Sequence, residues 1–215
     1  MNLFFNLLIS GMLKIDNGKI SVKSTNFLFF PTIYISILME YFKSRNQKNY
    51  FYLINWVTGF YVVNNIINHF KLKNTDEKYK IGMDFAENMG IGLYKTHRYL
   101  AGKWTEFEID DPFIHEKYSD IAVAGVMAGG GSLVHGAVCQ GIEIACKLDG
   151  AEKCKFLVAT EEELKNRGLY EKVLERYNLD EKILNFQRYI FGKYFNKVID
   201  DKEFLSDVKK FFESV

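Results

Sequence analysis

Period-two and helical spacing divide the chain into strands and helices. Met12 to Ile15 and Lys19 to Lys23 flank Asp16-Asn17-Gly18, and Ile20 and Val22 alternate with Ser21 and Lys23, the pattern of a hairpin with one dry face. Pro31 suits the first turn of a helix whose stripe continues through Leu38, Met39 and Phe42. From about Asn49 to His69 the positions Trp56, Phe60, Val63 and Ile67 recur at helical spacing and predict a second helix. The polar stretch Leu72 to Lys80 reads as a loop or a helix start capped by Thr75 or Asp76, and Ile81 to Met89 as a third helix stopped by Gly90 and Gly92.

Leu93 to Tyr99 and Trp104 to Ile109, joined by Ala101-Gly102-Lys103, predict a second hairpin. On flat strands Tyr94, Thr96 and Arg98 would share one face, and Lys95, His97 and Tyr99 the other. Asp120 to Val138 is apolar and glycine-rich, with Gly125, Gly129, Gly130, Gly131 and Gly136. Each glycine weakens a helix by roughly 1 kcal/mol relative to alanine, so close backbone approach must return something. After Phe156, Thr160-Glu161-Glu162-Glu163 opens a helix as a capping box. The remainder is charged, amphipathic and helical, punctuated by Gly168, Asn178 and Asp200, with Ile183, Phe186, Ile190 and Tyr194 as one buried stripe.

Composition narrows the class. In 215 residues, 48% are apolar and 16% aromatic, which is globular and large enough for a real core. Lysine and arginine number 28 against 27 acids, so net charge provides no field for nucleic acid. The apolar runs at 1–13 and 27–39 are too short to span a bilayer and the first lacks a basic flank, so no membrane span is expected. The expected compartment is the cytoplasm.

Chemistry concentrates between Asp120 and Phe156. Glu143-x2-Cys146-x7-Cys154, with Asp149-Gly150 in the second gap, predicts two strands meeting at a turn. A three-residue loop centred on Gly150 would set Cys146 opposite Cys154, close enough for both thiolates to share a zinc ion. Glu143 would then need a bulge, or a strand that only begins near Ile144, to reach their face. Two buried small hydrophobes, or a disulfide, are the other readings of the cysteine pair. Asp120 also has a metal-free explanation, as an acid at a helix start. The Gly129-Gly130-Gly131 run lacks the wording of a dinucleotide or phosphate loop, and no Cys-x2-Cys pair exists.

Glu143, Cys146 and Cys154, preceded by Gly125, Gly129 and Gly136, resemble the C-terminal signature of the 4-vinyl reductase family domain. That domain is a small-molecule-binding module, also found in front of phenol-sensing activators and related in fold to vesicle-tethering subunits of Golgi transport. The resemblance covers about Met12 to Val158. It implies an α+β fold, an antiparallel sheet with helices packed on it, as residues 1–158, with 159–215 a helical C-terminal extension. It also implies a structural zinc held by Asp120, Glu143, Cys146 and Cys154, where the family's first cysteine falls on Asp120; Cys139 and His135 are the alternative fourth ligands. Trp56, Gly59, Phe60, His97, Tyr99, Trp104 and Gly129 would line a pocket for an apolar, aromatic or hydrocarbon ligand. The function so implied is small-molecule binding or sensing, in a homodimer. The alternatives are a reductase of a tetrapyrrole vinyl group, for which the chain shows no cofactor fingerprint, and a dimeric interaction scaffold.

Overall fold

A computed structural model describes residues 13–16, 19–22, 25–27, 32–88, 94–109 and 119–215. Strands β1 (Leu13–Asp16), β2 (Lys19–Val22) and β3 (Thr25–Phe27) form a small antiparallel sheet in which Asp16 faces Lys19. Three helices follow, α1 (Thr32–Ser44), α2 (Lys48–Phe70) and α3 (Thr75–Asn88). Pro31, Gly90 and Gly92, read above as helix punctuation, lie outside the described residues. The third helix begins six residues earlier than the apolar pattern suggested, because the Asn74 side chain accepts the Asp76 N–H at 2.8 Å and starts the turn there.

The central sheet is antiparallel throughout, in the order β4 (Tyr94–Leu100), β5 (Trp104–Ile109), β7 (Cys154–Thr160), β6 (Cys139–Ala145). Between β5 and β6 runs the glycine-rich helix α4 (Ser119–His135). It lies on one face of the sheet and against α2 on its other side. This α+β architecture is the one expected from the sequence.

The glycines are used for close approach. A Cβ on Gly129 would stand 1.9 Å from the Trp56 carbonyl oxygen, and one on Gly59 would stand 2.0 Å from that of Val126. Helices α2 and α4 therefore cross backbone to backbone, which returns the propensity lost within α4.

The outer edge of β6 would be a row of free backbone groups, a template for unwanted pairing. Side chains from three helices occupy it in sequence. Ser132 Oγ accepts the Cys139 N–H at 2.9 Å, and Trp56 Nε1 donates to the Cys139 carbonyl at 3.1 Å. The Tyr52 hydroxyl accepts the Gly141 N–H at 2.9 Å and donates to Gln140 Oε1 at 3.0 Å. The Tyr177 hydroxyl lies against the backbone of Glu143 at the far end of the strand.

Helices α5 (Glu161–Asn166), α6 (Tyr170–Tyr177), α7 (Glu181–Tyr194) and α8 (Asp201–Glu213) complete the molecule. Of the expected capping box the N-cap half is made: Thr160 Oγ1 accepts the Glu163 N–H, while the Thr160 N–H goes to the Lys103 carbonyl and the Glu163 carboxylate to Arg167; Asp200 caps α8 through its own carboxylate. Asn178 ends α6 with φ near +55°, and Gly168 has φ near +65°. Leu164, Val173, Tyr177, Ile183 and Ile190 are buried in one core with the sheet and with α2. Leu157 and Ala159, on the face away from α4, are also buried, and Gln187 of α7 bonds Gln140 of β6 at 2.6 Å. The sheet is thus covered on both faces. Among the described residues, no helix is long and apolar enough to cross a membrane.

Candidate metal centre

The register of β6 and β7 explains how three donors meet. Glu143 pairs with Phe156, but the next pairing is Ala145 with Lys155, so Ile144 is an extra residue on β6. This is the bulge that Glu143 required: it keeps Glu143 on the face of Phe156 and Cys154 while the chain continues to Cys146. The connection is a short 3-10 turn, Lys147–Asp149, closed by Gly150 with φ near +92°. The Cys146 carbonyl accepts the N–H groups of Asp149 and Ala151. The Lys147 N–H points at Cys154 Sγ, 3.4 Å away, a donor that favours a charged sulfur.

Donor atoms of Glu143, Cys146 and Cys154 all lie within 4.8 Å of one another, and among the described residues this is the group that can share one ion. All three cysteines are free thiols. Burial, with the Asp120 charge adding to it, pushes Glu143 up to about 7. Burial likewise pushes Cys154 up to about 11 and raises Cys146. Three crowded acids hold on to their protons unless a positive centre joins them. Two sulfurs and a carboxylate are a donor set that suits zinc, and the residues present fit such an ion.

Asp120 stands beside this group in the first turn of α4, with one of its two carboxylate oxygens engaged by α6. Its Oδ2 accepts from Arg176 Nε at 2.8 Å and from the Tyr177 hydroxyl at 3.2 Å. The same guanidinium reaches Glu143 Oε2 at 3.2 Å, so α6 ties the two carboxylates together. Sequence reasoning did not single out Arg176 or Tyr177. The available signal was a charged residue next to the apolar row Tyr170, Val173 and Tyr177. His135 and Cys139 sit at the far end of α4 and at the start of β6. His135 Nε2 bonds Thr105 Oγ1 at 3.0 Å, and Cys139 is fully buried with its thiol on the Ala137 carbonyl.

The residues expected to line a pocket are spread over two regions. Trp56 and Phe60 are fully buried and stack on each other at 5.4 Å, in the crossing made by Gly59 and Gly129. On the strands, the pairing steps from Thr96–Phe107 to Arg98–Glu106, so His97 is a bulge residue and the flat-strand alternation breaks there. Tyr99 consequently faces Thr105, on the side of Phe107, and Arg98 faces Glu106, with which it forms an ion pair at 3.4 Å. Tyr99 stacks on Tyr79 at 4.5 Å and its hydroxyl bonds Asp76. Trp104 is half-buried beneath the Arg167 guanidinium, 4.4 Å from the ring centre.

The chain is similar in fold to the phenol-responsive sensory domain of the transcription activator PoxR, whose crystal structure contains phenol. The TM-score is 0.62 at 14% identity, over 77% of this chain and 94% of that one. A vinyl-4-reductase family protein from Methanocaldococcus jannaschii also aligns, with a TM-score of 0.41 at 18% identity, over 63% of this chain and 83% of that one. No family model and no curated relative matches the sequence.

Proposed function

We propose that this chain binds and senses a small apolar or aromatic molecule, and that a zinc ion braces the β6–β7 hairpin through Glu143, Cys146 and Cys154. The observation that carries the reading is the fold match over 94% of a phenol-responsive sensory domain. The cluster of two thiols and a carboxylate supports the metal. Bound there, zinc would supply a cross-link at the turn end of two strands already paired as far as Ala145 and Lys155.

In this reading Gly59 and Gly129 serve the guest indirectly, by fixing α2 on α4 so that Trp56 and Phe60 form a rigid wall. On the β4–β5 pair Tyr99, which shares the face of Thr105 and Phe107, supplies an aromatic contact, while Trp104 faces the other side of the sheet. The protein works as a cytoplasmic homodimer, with residues 1–158 as the binding part and the helices after it as the element that responds.

Native mass spectrometry of protein purified without added metal tests the proposal directly. One zinc per chain and a retained small molecule, at the mass of a dimer, are the expected result; bare chains would refute it. Cys154→Ser should lose the ion and melt at lower temperature, whereas unchanged melting and metal content would remove the metal from the proposal.

A further inference from the structure

Cys146 stands one step beyond the last β6–β7 pairing, Ala145 with Lys155, and so falls opposite Cys154 on the same side of the ribbon. Directly opposed strand residues have Cα atoms about 4.5–5.5 Å apart, inside the roughly 4.4–6.8 Å over which two cysteines can be joined. The two sulfurs already lie within 4.8 Å of each other. The turn between them, closed by Gly150, brings the strand ends together without help from the sulfurs.

The surroundings suit a state in which these sulfurs bind each other. Arg176 reaches Asp120 Oδ2 at 2.8 Å and Glu143 Oε2 at 3.2 Å, so both carboxylates keep a cation when the sulfurs no longer hold an ion. A disulfide carries no charge and needs none. Cys146 is half-buried and Cys154 buried, so an oxidant arriving from solvent meets Cys146 first, with Cys154 in reach to complete the reaction. Cys139 is fully buried at the other end of β6, its thiol on the Ala137 carbonyl, and takes no part.

We propose that Cys146 and Cys154 are a redox pair: a peroxide converts them to an intramolecular disulfide, and this disulfide and a bound metal ion are alternative occupants of one site. With hydrogen peroxide, Cys146 Sγ attacks one oxygen and the O–O bond breaks. That oxygen stays on sulfur as a sulfenic acid, and the other takes the Cys146 proton and leaves as water. Cys154 Sγ then attacks the sulfenic sulfur; the S–S bond forms, the S–O bond breaks, and the hydroxide leaves as a second water with the Cys154 proton. The peroxide gains the electron pair that the two thiols lose, and a thiol reductant reverses the change by exchange. Exchange with an ion rests on the metal reading above, whereas the disulfide rests on the strand register and the sulfur positions alone.

The test treats the wild-type, full-length chain with hydrogen peroxide, in one arm stripped of metal and in the other loaded with zinc. Free thiols are counted after denaturation, linked peptides are mapped by mass spectrometry, and released zinc is followed with a chromogenic chelator. In the stripped chain, titratable thiols should fall from three to one, with Cys146 joined to Cys154 and full return on reduction with dithiothreitol. In the loaded chain one zinc should leave for each disulfide formed. Thiols that stay at three, a link to Cys139 or between chains, or Cys146 driven to sulfinic acid with Cys154 still free would overturn the pair. Zinc retained by a chain that carries the disulfide would overturn the exchange and leave the metal reading intact. A chain that forms the disulfide but takes up no zinc when reduced would refute the metal reading and the exchange, and leave the redox pair standing.

Discussion

His135 is buried between α4 and β5, with Nε2 on Thr105 and Nδ1 without a partner. A second proton on the ring would have no acceptor, and burial lowers the imidazole from 6.5 to about 4. Because the folded value lies below the unfolded one, protonation favours the unfolded chain. The stability that His135 contributes is intact above pH 6.5 and is lost as the pH falls toward 4, by at most about 3 kcal/mol. Glu143 in the metal-free protein works in the opposite sense, since its raised value makes the carboxylate costly as the pH rises through about 7. The measurement that isolates His135 is therefore the difference in denaturation midpoint between wild type and His135→Gln at a series of pH values. That difference should change between pH 6.5 and 4 and stay constant above pH 7.

At the scale of elements, one glycine in the α2–α4 crossing and one in α7 give two predictions of opposite sign. Gly129→Ala would place a methyl group 1.9 Å from a backbone carbonyl that has nowhere to go, and should cost about 3 kcal/mol or force the helices apart. Gly192 in α7 has nothing within 4 Å of its absent Cβ, so Gly192→Ala should stabilise by about 0.5–1 kcal/mol. Urea unfolding of the two variants checks both. The same crossing shows what the sequence could and could not reveal. That the glycines of α4 exist for close approach was legible from their cost in a helix. Whether the neighbour was a guest or another backbone was not, because glycine has no side chain to carry that information. Glu143 was legible further: its odd spacing from Cys146 asked for a bulge or a late strand start, and the fold uses a bulge at Ile144. The caps at Thr160, Asn178 and Asp200 were equally readable, since each acts within three residues of itself. Arg176 reaches Asp120 across 56 residues, and no local pattern encodes such a contact.

For the whole molecule, the consequence of one shared core is that the C-terminal helices are part of the fold's stability as well as an expected extension. Tyr177 stacks on Tyr52 at 4.8 Å and bonds Asp120, and Val173, Ile183 and Ile190 are fully buried. A chain ended after Val158 would bare Tyr52, Leu157 and the Glu143 end of β6. It should show no cooperative thermal transition and a strong hydrophobic-dye signal; a sharp melt of the 1–158 fragment would refute this. The lock between α7 and α8 belongs to the same scale. Asp207 accepts from Lys193, Tyr194 and Tyr189 at 2.6–3.0 Å. Burial works to raise its carboxyl, but those bonds outweigh it and hold it below the usual range. Asp207→Ala leaves the buried Tyr194 hydroxyl without its acceptor and should cost about 1–3 kcal/mol, read as a lower denaturation midpoint.

The covering of β6 by side chains has a consequence for how the protein is made. A ribosome releases α2 some seventy residues before β6, so Trp56 and Tyr52 are available when Cys139 and Gly141 emerge, and most of the outer edge of that strand is covered as it forms, the inner edge being taken by β7 soon after. Tyr177 leaves the tunnel last, which makes the Glu143 end of β6 the interval of exposure during synthesis, and slow translation between Glu143 and Tyr177 the step at which this protein would be lost to aggregation.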